Sequence, residues 1–228
     1  MPVAIQKSTF QFLKEIAKNN NREWFNEHKT AYTTAQENMA AFVDVLIAEM
    51  NKHDELETVS GKKSLYRIYN DVRFSKDKSP YNARFAFGLK RATKFKRGGY
   101  YTHIQPGNSF LACGFFAPNA DDLKRIREDI AANYKDWNKI LNGKKLKENF
   151  GVLQGDTVAT APRGFDKNQA GIELIRHKQF ILRHNFTDAE VLSPNFVKDV
   201  NAIFKSVRPF FDYMSDVLTT DANGVLNV

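Results

Sequence analysis

The sequence predicts an α+β fold: an antiparallel β-sheet meander covered by long amphipathic helices, built as a single globular domain over residues 1–228. Three observations lead there. After Gly61 the apolar period changes from 3.6 to 2 and stays there through residue 116. The period-2 segments are joined by Gly98-Gly99 and Pro106-Gly107-Asn108, connections too short for the crossover that parallel strands require. Before and after this block the apolar residues fall on helical stripes. A chain of 228 residues is long enough to bury a substantial core without disulfide or metal staples.

Taken in order, Ser8 with Gln11 three residues later has the form of a capping box, and Phe12, Leu13 and Ile16 give a short helix ending near Asn19. A second helix is expected over 22–53, where Met39, Phe42, Val43, Leu46, Ile47 and Met50 share one face. Strands are expected at 64–70, 83–91, 98–105 and 109–116. Asn119, followed by Asp121 and Asp122, caps a helix over 119–141. Residues 143–171 have no clear period, with a short strand at 157–160. A short helix over 170–177 and a fifth strand over 179–186 follow. The stripe from Val197 to Leu218 marks a last helix over 194–220, which Pro209 should break near Arg208.

Composition narrows the function classes. Hydrophobic content of 42% with nineteen Phe describes a globular, aromatic-rich interior. The lone Cys113 sits in the apolar run Phe110 to Phe116, which leaves no internal disulfide and suggests a buried thiol in a reducing compartment. The N-terminal residues lack a basic segment followed by an apolar core, and no apolar run approaches a membrane span. A soluble, cytoplasmic protein without a membrane partner is expected.

The charge is unevenly placed. From Lys62 to Arg97 twelve Lys or Arg stand against two Asp, a local balance of +10 when the whole chain carries +8. At its centre is LYRIYNDVRFSKDKSPY, residues 65–81. Arg67, Arg73, Lys76, Lys78 and Arg84 offer fork-shaped and point-charge donors for phosphate or carboxylate. Tyr66, Tyr69, Phe74 and Tyr81 interleave with them, a mixture suited to stacking on bases or sugars. The competing account is a solvated loop in which Asp71 and Asp77 pair with the cations. His103, on the expected third strand, would bring a group that titrates near neutrality if the meander pairs in sequence order, although a lone strand histidine is more often structural.

Common local active-site signatures are missing. There is no GxxxxGK[ST], no GxGxxG after a strand, no HExxH, no paired CxxC and no GxSxG, and His28, His53, His103, His177 and His184 have no metal-ligand spacing. No metal and no cofactor are expected. The reading that remains is binding of a phosphate-bearing or other anionic ligand, a nucleotide or nucleic acid, through Arg67, Arg73, Lys76, Lys78, Tyr81 and Arg84. Two alternatives stay open: a hydrolase or transferase acting on such a ligand with Asp71 or His103 as general base, and an interaction module for an acidic protein.

Four motifs extend this reading: NNNREWFNEHKTAY at 19–32, RIYNDVRFSKDKSPY at 67–81, GYYTHIQPGNSFLACGFFAP at 99–118, and PRGFDKN with LIRHKQF within 162–180. Together they resemble the bacterial and fungal domain-of-unknown-function family 2461, in order and over essentially the whole chain. The resemblance implies a single soluble domain and carries over no activity, cofactor or catalytic residue. One departure is that Ala112 and Cys113 stand where the family pattern leads one to expect glycines, in the strand before Phe115.

Overall fold

The computed structural model describes residues 3–220 and 224–226 and has the expected α+β class. Strands β1 (Phe85–Lys90), β2 (Gly99–Ile104), β3 (Ser109–Phe115) and β4 (Phe180–Phe186) form one antiparallel sheet in the order β1-β2-β3-β4. The helices are α1 (Lys7–Lys18), α2 (Arg22–Glu27), α3 (Lys29–Met50), α4 (Gly61–Ser64), α5 (Ala120–Leu141), α6 (Lys144–Phe150), α7 (Ile172–Ile175), α8 (Asp188–Val191), α9 (Phe196–Ser206) and α10 (Arg208–Thr219). No helix among the described residues is long and apolar enough to cross a membrane. The chain divides into two compact units.

The first unit comprises residues up to Leu89 with Tyr101–Leu111 and Asn185–Ala202. Its centre is α3, whose Phe42, Val43, Leu46, Ile47 and Met50 are buried as their stripe predicts. Phe42 packs on Phe87 of β1 and stacks on Phe196, 5.5 Å between ring centroids. The capping box expected at Ser8 does not form. Helix α1 begins after Gln6, and Ser8 and Gln11 bond to Gln6 and Glu15 instead. Its entry is held from a distance: the buried Asn38 on α3 accepts from Gln6 N and Thr9 Oγ1, and donates to the Ala4 carbonyl. One side chain thus satisfies the N-cap backbone N–H of Gln6 that a capping box would otherwise serve. The helix expected over 22–53 is broken at His28 (φ −104°, ψ 18°), where the ring Nδ1 lies 2.8 Å from the Trp24 carbonyl and the imidazole stacks on the Trp24 indole. The backbone bond from His28 N to the same carbonyl is kept at 3.0 Å, so the ring adds a second contact at the end of α2.

The strand expected at 64–70 is not a regular strand. Leu65 bridges Phe87 and Tyr69 bridges Tyr81, so the chain advances four residues on one side of the ribbon and six on the other. The surplus residues bend between Asn82 and Arg84, just before β1 starts, as a β-bulge does. The far end is clamped by Asn20, which accepts from Tyr81 N and donates to Tyr81 O like a strand partner.

The second unit comprises Lys90–Tyr100, Ala112–His184 and the residues from Ile203 on. The break expected near Arg208 is present: α9 ends at Ser206, α10 starts at Arg208, and Pro209 sits in its first turn, where a missing N–H costs little. Phe204, Val207 and Phe211 are buried, and Tyr100 packs on Phe204 and Phe211. Arg91 is buried too, and donates to Asp212, Ser215 Oγ and the Arg97 carbonyl. Asn119 caps α5 as expected, accepting from Asp122 N. The stretch expected to be irregular contains α6. The short strand at 157–160 reduces to a single bridge, Thr157 with His177, and the 170–177 helix to the one turn of α7. Close backbone approach in the strand before Phe115 is present at Gly114 (φ +144°), one position beyond Ala112 and Cys113.

Candidate functional site

The bulge decides which cations meet. With Leu65 opposite Phe87 and Tyr69 opposite Tyr81, residue 67 lies midway along one side and residue 84 midway along the other. Arg67 and Arg84 accordingly line one cavity of about 250 Å³, together with Tyr66, Asn82, Ala86 and Tyr101. No carboxylate lines it. Tyr66 is 57% exposed, and its ring centroid stands 6.0 Å from that of Tyr101. Burial raises the Tyr101 hydroxyl above its usual range, and the charge and hydrogen bond of Arg84 oppose that rise.

Tyr101 also joins the cavity to His103. The two side chains alternate along β2 and share a face with Gln105. His103 Nε2 lies 2.8 Å from Gln105 Oε1, which can only accept, so Nε2 carries a proton. In the neutral ring Nδ1 is then an acceptor, and the Tyr101 hydroxyl, 3.3 Å away, donates to it. The ring stacks on Phe110 at 4.6 Å and is 8% exposed. These contacts orient Tyr101, with its oxygen left to accept from Arg84.

The other expected residues are placed elsewhere. Arg73 is exposed and bonds bidentately to Asp71, 3.0 and 2.7 Å, within the loop. The Arg73 side chain and backbone, and then the Arg67 charge, hold the Asp71 carboxyl below its usual range. Lys78 Nζ donates to the Val72 carbonyl. Asp77 accepts from Ser79 N, which holds its carboxyl down as well. Lys76 is exposed on the same loop. Tyr81 is 5% exposed, its ring stacked 4.1 Å from Phe25, so its face is spent on the interior and is closed to a base. Phe74 (96% exposed) and Tyr69 are the open rings of the loop region. Among the described residues no group of three His, Cys, Asp or Glu is placed to hold a metal ion.

Of the expected ligand-binding residues, then, the cavity joins Arg67 and Arg84 and leaves Arg73, Lys76 and Lys78 on an exposed loop. Sequence reasoning missed Tyr101 and Asn82. The alternation of Tyr101, His103 and Gln105 was the available signal for the first.

The chain belongs to the family described as "Conserved hypothetical protein (DUF2461)", whose family model matches residues 8–213. That span contains every residue of the cavity. No curated protein and no solved structure matches the chain.

Proposed function

We propose that this member of the DUF2461 family binds a phosphate-bearing ligand, a nucleotide or single-stranded nucleic acid, in the Arg67–Arg84 cavity. The observation that carries the reading is that two arginines line one concavity with no carboxylate among its walls. Two arginines beside one concavity favour an anion, and a planar fork suits phosphate oxygens. Tyr66 presents an exposed ring beside them, and base–aromatic stacking contributes about 1–3 kcal/mol per base in single-strand binders. Arg73, Lys76 and Lys78 flank the site as a field that attracts anions and weakens with salt.

The test is fluorescence anisotropy with labelled single-stranded oligonucleotides at several salt concentrations. The wild type should bind with an affinity that falls as salt rises, and Arg67→Ala should reduce the magnitude of the salt slope by about 0.7, the value for one phosphate contact on a single strand. Tyr66→Ala should weaken binding and leave the slope unchanged. Equal, weak binding by the wild type and the Arg67→Ala, Arg84→Ala variant would dismiss the proposal. A second reading, a hydrolase or transferase acting on such a ligand, is favoured by one feature: His103 is a single hydrogen bond from Tyr101. Product formation during the same titrations separates turnover from binding.

A further inference from the structure

A second cavity, of about 330 Å³, lies inside the second unit, among α5, α6, α7 and the turn at Gly151–Leu153. Its walls are mainly apolar, with Leu141, Leu146, Leu153, Ile172 and Leu182 around the Tyr134 ring. That ring stands 2.6 Å from where a Cβ on residue 171 would be, so glycine at 171 lets the tyrosine close one side. The polar groups at Asn138, Asn142 and Lys147 are engaged with one another: Asn142 Nδ2 donates to Asn138 Oδ1 at 2.9 Å, and Lys147 Nζ to Asn142 Oδ1 at 3.0 Å.

His177 is different. Its Nδ1 lies 3.1 Å from the Gln179 carbonyl, which only accepts, so Nδ1 carries the proton and Nε2 the lone pair. Burial draws the imidazole below its usual range and favours the neutral form, while the Gln179 carbonyl and Glu173 oppose this. Arg127 bonds to the His177 backbone carbonyl and not to the ring. Among the described residues no hydrogen bond to Nε2 is present.

We propose that this cavity binds a small uncharged aromatic alcohol, a phenol, with its ring among the leucines and its hydroxyl donating to His177 Nε2. The His177 lone pair selects a ligand that carries a hydrogen-bond donor. A carboxylate has no proton to donate to that lone pair, and an ammonium would carry charge into apolar walls without a carboxylate to meet it beyond Glu173, which lies within 3.5 Å of Arg176. The cavity falls at the small end of the range for ligand pockets, which suits a single ring.

The experiment compares p-cresol with toluene by isothermal titration on the full chain, with ¹⁵N spectra of the histidine rings as a second readout. Wild type should bind p-cresol about three- to tenfold more tightly than toluene, the equivalent of one hydrogen bond. The His177 Nε2 resonance should move with p-cresol and stay in place with toluene. His177→Phe should equalise the two ligands, and Leu141→Trp, which fills the cavity from a half-buried position, should remove both. Equal affinities in the wild type, discrimination that survives in His177→Phe, or binding by neither compound would overturn the proposal. It uses none of the residues of the Arg67–Arg84 cavity, so the two readings fail separately.

Discussion

Gly114→Ala is expected to cost about 2–6 kcal/mol of folding stability, the sum of backbone strain and overpacking. Gly114 has φ +144°, a conformation that side chains rarely adopt. A Cβ there would lie 2.0 Å from the Phe180 carbonyl oxygen and 3.1 Å from Ile181 Cα. Both are backbone atoms of β4, so relief requires parting β3 from β4 at this point. Gly107→Ala is the control: its φ is +75°, yet nothing stands within 4 Å of the added carbon. It should lose only the left-handed penalty of about 1–2 kcal/mol. Urea unfolding of the two variants separates the terms, and equal losses would mean that the contact with Phe180 does not matter.

Leu46→Ala should cost about 2–5 kcal/mol, as deletions of fully buried leucines do. Leu46 has no exposed surface, and neither do Phe42 and Val43 beside it on α3. A stripe so completely enclosed has little freedom to collapse onto the lost methyls, which places the cost away from the lower end of that range. The midpoint in urea should fall with the slope unchanged. A loss below about 1 kcal/mol would show that the helix face is not the centre of its unit.

The fold was legible where its signals are local. Gly98-Gly99 and Pro106-Gly107-Asn108 announce hairpins, and Pro209 announces the break between α9 and α10, because each acts through the residues next to it. The 64–70 segment misleads for the opposite reason. Leu65, Arg67 and Tyr69 alternate like a strand, but the two-residue surplus belongs to its partner segment, and the end of the ribbon is fixed by Asn20, 61 positions away. The site follows the same rule. Arg67 and Arg84 could be named as cations from the sequence, whereas their meeting depends on the bulge. Tyr81 looked like a stacking platform among charges, and only its contact with Phe25 of α2 shows that it belongs to the interior. Arg73 and Lys78, equally prominent in sequence, turn their donors back onto Asp71 and the Val72 carbonyl.

The central claim is that the anion enters the cavity and not the basic loop. Isothermal titration with ATP at low salt tests it on three proteins: the wild type, the Arg67→Ala, Arg84→Ala variant and the Arg73→Ala, Lys76→Ala variant. Each hydrogen bond to a charged group contributes about 1.5–3 kcal/mol, so the cavity variant should lose at least about tenfold in affinity. The loop variant, which removes the exposed Arg73–Asp71 pair and one solvated charge, should lose a few-fold at most and recover as salt rises. A tenfold loss confined to the loop variant, or the same affinity in all three proteins, would contradict the account.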